Sequence, residues 1–338
     1  MEYSFAYKIG HNPELSINEY IALTGDTKFK IKGQLLYSNS DLDITQAGSL
    51  VFKALVLSNL IDLPKKIGYV TAATIKAHPI IIKQLKAQGA KKILISNKEP
   101  NIGQFKYVAN WFMEVEDHYL HIVQNSDQEY WNRLDMDLPA KDMKKGIINI
   151  KLARSMLNMT SYTNVCDPFA GLGRNAAAGW NEGKNFVLSD LDPLCKEYID
   201  ENIQFLKQYY GEQSKVIKNY TCNAKDIKDE FGEEFAIVTE GHLTEAANYV
   251  LSFNEAEERI EEVKNLWIEV LENWSKIENL KDIIITLPFY ITRSKDIYWD
   301  IVHDLPKGIN LIPFYNDNYI FYKRANTRIG HMIVKLTK

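Results

Sequence analysis

The chain has 338 residues, of which 40 are lysine or arginine and 44 are acidic, and its formal net charge is −4. This length predicts two or three domains, and the 46% of hydrophobic and 25% of charged residues exclude disorder and collagen-like structure. We expect neither a secretory signal nor a membrane-spanning helix, and three cysteines without metal-type pairing predict no metal site and a reducing, cytoplasmic location.

The N-terminal part of the sequence predicts two small α/β units. Residues 1–62 contain a candidate strand over Tyr3–Ile9 and a helix start at Asn12-Pro13. In residues 63–124 the predicted elements are strands and helices in alternation: Ile67–Thr71, a helix through Leu85 that ends near Gly89, Lys92–Ser96, and a helix over Phe105–Phe112. Residues 125–146 are polar and aperiodic, which predicts a linker.

From residue 147 to residue 338, strands alternate with helices, which predicts a parallel sheet. The predicted strands are Asn164–Asp167, Asn185–Asp190, Ser214–Thr221, Phe235–Glu240 and Ile283–Pro288. The predicted helices are Arg174–Glu182, Leu194–Tyr209 and Asn254–Glu278, the last with a capping box of Ser252 and Glu255. Asn318–Lys323 and His331–Lys335 predict an antiparallel hairpin at the sheet edge.

The charge is unevenly distributed along the chain. Residues 65–106 hold nine lysines and one acid, residues 232–280 hold twelve glutamates and three basic residues, and residues 281–338 hold nine basic residues and five aspartates. The net charge alone argues against a nucleic-acid partner, but local fields decide where a polyanion docks. A lysine-rich stretch is more often a solvated face, so the basic block does not by itself indicate a function.

The segment Asp167-Pro-Phe-Ala-Gly-Leu-Gly173 follows a predicted strand and precedes a helix, which predicts a ligand at the carboxyl end of that strand. Asp190 ends the next strand, where an acid accepts hydrogen bonds from both ribose hydroxyls. The loop lacks the G-x-G-x-x-G pattern of a dinucleotide site. An acid at its first position repels phosphates but suits a cationic or amino-acid-bearing cofactor.

This segment resembles the D-P-F-C-G-(S/T)-G motif of class I S-adenosyl-L-methionine-dependent methyltransferases that act on exocyclic amines. The chain also resembles the THUMP-containing tRNA guanine-N2 methyltransferases in four other segments: 146–154 (GIINIKLAR), 10–16 (GHNPELS), 134–142 (LDMDLPAKD) and 322–330 (YKRANTRIG). The resemblance implies a Rossmann-like, seven-stranded methyltransferase domain over 147–338, after an α+β region that is ferredoxin-like over 1–62 and THUMP-like over 63–124.

The resemblance also implies a set of cofactor-binding residues. Asp167 and the Ala170–Gly173 backbone, with Gly171 and Gly173, would hold the methionine part of S-adenosyl-L-methionine. Asp190 would hold the ribose, with Asp192 as a second candidate, and Asn223 and Ala224 would contact the adenine. Alternatively, Asp192 caps a helix and Asn223 simply ends a strand.

The motif after the fourth strand departs from the family's D-P-P-Y and reads Glu240-Gly241-His242-Leu243. Two acceptors on the hydrogens of an exocyclic amine pull its nitrogen toward sp³ geometry and aim the lone pair at the methyl donor. Glu240 and the Gly241 carbonyl would be these acceptors, and His242 would stack on a flipped base or hydrogen-bond it. The alternative is that the loop has lost activity and the protein only binds RNA.

Two further groups complete the predicted site. Phe289 and Tyr290, after the fifth strand, would line the base pocket, although a core role is an equal alternative. The lysines expected to contact tRNA are those of the basic block: Lys83, Lys86, Lys91, Lys92 and Lys98.

The resemblance implies N2-methylation of guanosine in tRNA, at position 10. A second enzyme hypothesis is a DNA adenine-N6 or cytosine-N4 methyltransferase. The hypothesis without catalysis is an inactive RNA-binding homologue. The sequence leaves open the oligomeric state, the number of methyl groups added and any need for a small activator subunit.

Overall fold

A computed structural model describes residues 2–58, 70–73, 83, 86–87, 93–96, 110–115, 118–141, 148–243, 249–324 and 327–338. The chain divides into two compact units, Met1–Tyr130 and Trp131–Lys338. No helix in these ranges has the length and apolar character needed to cross a bilayer.

The first unit is built on one eight-stranded sheet with the order β2-β3-β1-β4-β8-β7-β5-β6. Its strands are β1 (Phe5–Ile9), β2 (Lys30–Lys32), β3 (Leu35–Ser38), β4 (Leu50–Leu57), β5 (Val70–Ala73), β6 (Ile93–Ser96), β7 (Asn110–Val115) and β8 (His118–Asn125). Strands from both predicted N-terminal units therefore share a sheet, joined where β4 pairs with β8. The division of this region at residue 62 remains a prediction.

Helix α1 (Pro13–Thr24) begins where the sequence predicts a helix start. The Asn12 side chain accepts a hydrogen bond from the Leu15 backbone N–H at 2.8 Å, and Pro13 occupies the first turn. Gly25 ends the helix at φ 68°, which a residue with a Cβ adopts only with strain.

Two predictions in this region are wrong. Residues 110–112, predicted as the end of a helix, belong to β7, which pairs antiparallel with β8. The predicted linker contains the last residue of β8 and helix α2 (Gln128–Asp137). In this helix, Trp131 and Leu134 are buried, as is Leu138 just beyond it, so three apolar residues at helical spacing fix an otherwise polar segment.

The second unit has a nine-stranded sheet with the main order β11-β10-β9-β12-β13-β17-β15, to which β14 and β16 are added. The strands are β9 (Asn164–Asp167), β10 (Asn185–Asp190), β11 (Lys215–Thr221), β12 (Phe235–Glu240), β13 (Leu280–Ile291), β14 (Asp296–Tyr298), β15 (Asn310–Leu311), β16 (Ile320–Tyr322) and β17 (Ile329–Thr337). The helices are α3 (Ile150–Asn158), α4 (Arg174–Ala178), α5 (Pro193–Tyr210) and α6 (Phe253–Trp274). The predicted α/β, Rossmann-like class is confirmed.

Strands β9 to β13 are parallel, so their carboxyl ends lie at one edge of the sheet. We call this edge the carboxyl edge. Asp167, Asp190 and Glu240 are each the last residue of a strand and therefore lie along it. Ligands in open α/β sheets bind at this edge.

Helix α6 packs an apolar stripe into the core of the second unit. Trp267 and Trp274 on this stripe are fully buried, and the capping box of Ser252 and Glu255 is formed. Helix α6 therefore contributes large buried aromatic side chains to the core of this unit.

The C-terminal hairpin forms, but its position differs from the prediction. β16 and β17 pair antiparallel, yet β17 lies between β13 and the short strands β15 and β16 rather than at the sheet edge. Nine register pairs join β17 to β13, and its residues Met332, Val334 and Leu336 are buried.

Candidate active site

The loop after β9 has the tight geometry that its glycines predict. Gly171 has φ 52° and Gly173 has φ 74°, both in the left-handed region. The Ala170 N–H donates to the Ser189 carbonyl at 2.9 Å, and the Gly173 N–H donates to the Ala170 carbonyl at 2.7 Å. A Cβ built on Gly171 meets no atom within 4 Å, so the backbone there faces open space.

Asp167 is buried, and its carboxylate is held by three donors. The Thr239 hydroxyl donates at 2.6 Å, the Phe169 N–H at 3.3 Å and the Asn175 side-chain amide at 2.8 Å. Burial nevertheless raises the pKa of Asp167 to about 7, because these donors do not offset the loss of solvation. A cationic ligand beside Asp167 would stabilise its ionised form.

Asn175 is a site residue that the sequence reasoning missed. Its amide also donates to the Val238 carbonyl at 3.1 Å, which ties the first turn of α4 to β12. Its Oδ1 atom is buried and has no hydrogen-bond partner among the described residues. An unpartnered buried acceptor beside the glycine loop is consistent with a ligand that donates to it.

Asp190 joins the two loops of the predicted cofactor site. Its carboxylate accepts from the Gly171 N–H at 2.9 Å and from the Asp192 N–H at 3.0 Å. Asp192 caps α5 by accepting from the Leu194 N–H at 2.9 Å, which is the structural alternative raised for it. Asp190 is therefore the better placed of the two acids to face a ligand at the loop.

Asn223 and Ala224 lie in the turn that follows β11. The Asn223 side chain accepts from the Lys225 N–H at 3.2 Å and caps a short 3₁₀ helix. Ala224 is buried, and its carbonyl accepts from the Trp274 indole N–H at 2.8 Å. Both residues thus have structural roles, and contact with an adenine remains a prediction.

Glu240 shares a small cavity with the glycine loop. The cavity has a volume of about 30 Å³, close to that of one water, and lies at the carboxyl edge. It is lined by Ile148, Asp167, Phe169, Ala170, Gly171, Leu172, Arg174, Asn175 and Glu240. The structure thus brings the first and fourth strand ends, Asp167 and Glu240, to one pocket.

Burial raises the pKa of Glu240 to about 8, and the Asp167 carboxyl acts in the same direction. The charges of Arg324 and Arg174 and the Ile148 N–H oppose this increase. Glu240 Oε1 is buried, and its nearest described polar contact is His331 Nδ1 at 3.3 Å. Burial lowers the pKa of His331 to about 4, so this contact joins two neutral groups at neutral pH.

Arg174, the first residue of α4, holds the segment that precedes α3 against the pocket. Its Nε donates to the Ile148 carbonyl at 2.8 Å, and its guanidinium forms an ion pair with Asp135 of α2. Burial lowers the pKa of Arg174 to about 10. Local sequence patterns could not predict this link, because its partners lie 26 and 39 residues earlier in the chain.

Gly241 is needed for packing as well as for its predicted carbonyl role. A Cβ at this position would lie 2.1 Å from Trp267 Cζ2 and 3.1 Å from the Thr286 carbonyl. The Trp267 ring also lies 5.3 Å from the Phe169 ring, centroid to centroid, under the glycine loop. His242 is exposed, so its side chain is accessible to a ligand.

Phe289 and Tyr290 are both buried in the hydrophobic core of the second unit. Phe289 packs edge-on against Phe321, and the Tyr290 hydroxyl donates to the Leu243 carbonyl at 3.5 Å. This burial favours the core alternative over the predicted base-pocket role.

The predicted RNA-binding lysines lie in the first unit. Lys83 and Lys86 are helical and exposed, whereas Lys91, Lys92 and Lys98 lie outside the described residues. Their contact with RNA remains a prediction.

No family model matches this sequence, and the comparison with curated proteins finds no significant match. Among solved structures, TrmN from Thermus thermophilus is similar over 99% of this chain and 100% of its own, at 12% identity and a TM-score of 0.49. A predicted N6-adenine-specific DNA methylase from Listeria monocytogenes is similar over 84% of this chain and 88% of its own, at 11% identity and a TM-score of 0.40. Magnesium protoporphyrin IX methyltransferase (ChlM) from Synechocystis PCC 6803 with bound SAM covers 62% of this chain and 94% of its own, at 12% identity and a TM-score of 0.38. Because all three scores lie below 0.5, the fold assignment rests on the strand order and register described above.

Proposed function

We propose that this chain is an S-adenosyl-L-methionine-dependent methyltransferase that modifies an exocyclic amine of a tRNA base, with guanine N2 at position 10 as the target. The observation that carries the proposal is the meeting of Asp167, Gly171 and Glu240 in one pocket at the carboxyl edge. A glycine loop with a buried acid at its start, next to a second buried acid at a strand end, suits a cationic cofactor and an amine substrate.

The residues around the glycine loop fit the cofactor. When bound, S-adenosyl-L-methionine supplies a methyl group on a positively charged sulfur. Asp167 and the unpartnered Asn175 Oδ1 would hold its amino-acid part, and the Gly171 backbone leaves room for close approach. Asp190, which already orders the Gly171 N–H, would accept hydrogen bonds from the ribose hydroxyls.

Glu240 would act on the substrate amine. In its ionised form, its carboxylate would accept a hydrogen bond from the amine and hold the nitrogen lone pair toward the methyl donor. The Gly241 carbonyl would accept the second hydrogen, and the exposed His242 would contact the base. The ammonium that forms after transfer then loses its proton to the Glu240 carboxylate.

The alternative of an inactive RNA-binding homologue does not account for two acidic side chains kept in one buried pocket, where burial raises the pKa of both. Burying an ionisable group costs stability unless it is fully paired, and a purely binding protein has no reason to retain that cost. This argument favours activity over simple binding.

The proposal is tested by incubating the protein with bulk tRNA and cofactor that carries a tritiated methyl group. We expect label in the RNA with the wild type and at least a hundredfold less with Glu240→Gln. The matched control is Glu234→Gln, an exposed acid before β12, which should transfer like the wild type. Wild-type protein that binds cofactor and tRNA but transfers no label would contradict the proposal and support the hypothesis of an inactive RNA-binding homologue.

A further inference from the structure

Two turns of the second unit meet at the carboxyl edge, beyond the pocket. One follows β13 and contains Arg293 and Lys295; the other joins β16 to β17 and contains Lys323 and Arg328. The Ile291 N–H donates to the Arg328 carbonyl at 3.1 Å, and Tyr290 pairs in register with Ile329. The sheet pairing therefore places the two turns side by side.

These four cations are exposed, and we call them the basic rim. In the part of the chain that the structure describes, none of the four has an ion-pair partner, although Asp296 is nearby on β14. Elsewhere in the same unit, surface lysines pair with acids: Lys196 with Asp200, Lys207 with Glu212, Lys218 with Glu230, Lys225 with Glu269 and Lys264 with Asp304. Lys215, Lys228 and Lys307 likewise have no ion pair among the described residues, so what distinguishes the rim is that its four cations lie together on two adjacent turns.

An exposed aromatic side chain lies beside the rim. Tyr298 of β14 is 42% exposed, and its ring lies 5.1 Å from that of Phe321, centroid to centroid. It pairs in register with Phe289 and so stands next to the turn that carries Arg293. Cations interleaved with an accessible aromatic ring suit unpaired nucleotides, whose phosphates and bases they bind together.

The rim is close enough to the pocket to act on the same ligand. Glu240 pairs in register with Thr286, and β13 continues to Ile291. Five residues of strand span roughly 17 Å, a distance covered by a few nucleotides of RNA.

We propose that the basic rim binds the phosphates of the RNA segment next to the target base, with Tyr298 as a stacking platform. This inference rests on the proposed function, because it takes the RNA to present its base to Glu240. Phosphate contacts near the pocket would fix the register of the RNA without reading its sequence. The second unit would thus contribute its own RNA contacts, in addition to any made by the predicted lysines of the first unit.

The test compares the triple variant Arg293→Glu, Lys323→Glu, Arg328→Glu with a control of equal charge change. The control is Lys207→Glu, Lys215→Glu, Lys276→Glu. These lysines are exposed at the opposite edge of the same sheet, where α5 and α6 end and β11 begins. Binding of fluorescein-labelled tRNA is measured by anisotropy at several salt concentrations with S-adenosylhomocysteine present.

We expect the rim variant to bind tRNA at least tenfold more weakly than the wild type. Its plot of log affinity against log salt should be shallower by about 2, since three phosphate contacts are lost. The control should change less than threefold. In the transfer assay, the rim variant should show a raised KM for tRNA with kcat retained, and unchanged cofactor affinity shows that it is folded. The milder triple variant to glutamine covers the case in which charge reversal unfolds the protein.

The outcomes separate the two proposals. If the rim and control variants bind tRNA equally while the wild type transfers methyl groups, the rim proposal is overturned and the proposed function stands. If the wild type transfers no methyl but the rim variant alone loses tRNA affinity, the rim proposal stands and the proposed function fails.

Discussion

Glu240 Oε1 lies 3.3 Å from His331 Nδ1, although the two residues are 91 positions apart in the sequence. They lie on β12 and β17, which both flank β13, where Glu240 is in register with Thr286 and His331 with Pro288. Burial raises the pKa of Glu240 to about 8 and lowers that of His331 to about 4, so at neutral pH the carboxyl group is protonated and the imidazole is neutral. Under the proposed function, that proton must leave before Glu240 can take up the proton that the methylated amine releases.

Methyl transfer is therefore expected to rise with pH through about 8, since Glu240 is ionised only above its pKa. In His331→Gln, the amide N–H can donate to the Glu240 carboxylate, which lowers the pKa of Glu240 and moves the midpoint to lower pH. The measurement is kcat/KM from pH 6 to pH 9. The control is His303→Gln, whose side chain is 79% exposed. A rate that does not change with pH in the wild type would contradict the role of Glu240 as the acceptor.

Asp190→Ala is expected to weaken cofactor binding at least tenfold, about 1.4 kcal/mol, measured by calorimetry. The substitution removes the ribose acceptor and also releases the Gly171 N–H that Asp190 orders at 2.9 Å. The matched control is Asp200→Ala on α5, an exposed acid paired with Lys196. Equal affinity in the Asp190→Ala and control variants would remove Asp190 from the site.

The affinity for the cofactor should itself depend on pH through Asp167. Burial raises the pKa of this carboxyl to about 7, and a cationic ligand binds its ionised form, so affinity should increase as pH rises from 6 to 8. The expected gain is about tenfold for each pH unit below the pKa. Using Glu240→Gln as the background removes the titration of Glu240. Adding Asp167→Asn should then abolish the pH dependence of cofactor affinity. If the affinity still changed with pH in this double variant, another group would be responsible.

Gly241→Ala is expected to destabilise the protein through Trp267, because the new Cβ would lie 2.1 Å from the indole ring. Overpacking of this kind costs about 1–3 kcal/mol, measured by urea unfolding. In the Trp267→Leu background, the same substitution should cost less, because the smaller side chain leaves room. If the two substitutions had strictly additive effects on the free energy of unfolding, the indole of Trp267 would not be the reason that residue 241 must be glycine.

The sequence predicted those parts of the site that depend on local order. Asp167, Asp190 and Glu240 each close a strand whose apolar run is evident, and parallel strands bring such ends to one edge. Their meeting at the carboxyl edge follows from the strand pattern alone.

Residues that reach the site through tertiary pairing could not be predicted in this way. His331 arrives only because β17 inserts beside β13, and Thr239 points at Asp167 from the neighbouring strand. Nothing in either local pattern distinguishes these two residues from ordinary strand residues. Similarly, helix α2 was predicted as a linker because only three buried apolar residues mark it among many charges.

The central claim, that this chain methylates guanine N2 in tRNA, is tested most directly by nucleoside mass spectrometry. Unmodified tRNA is treated with cofactor and either the wild type or Glu240→Gln, then digested to nucleosides. We predict N2-methylguanosine with the wild type and none with the variant. Methyl groups on adenine or cytosine, or no methylated nucleoside from a wild type that binds both cofactor and tRNA, would contradict it.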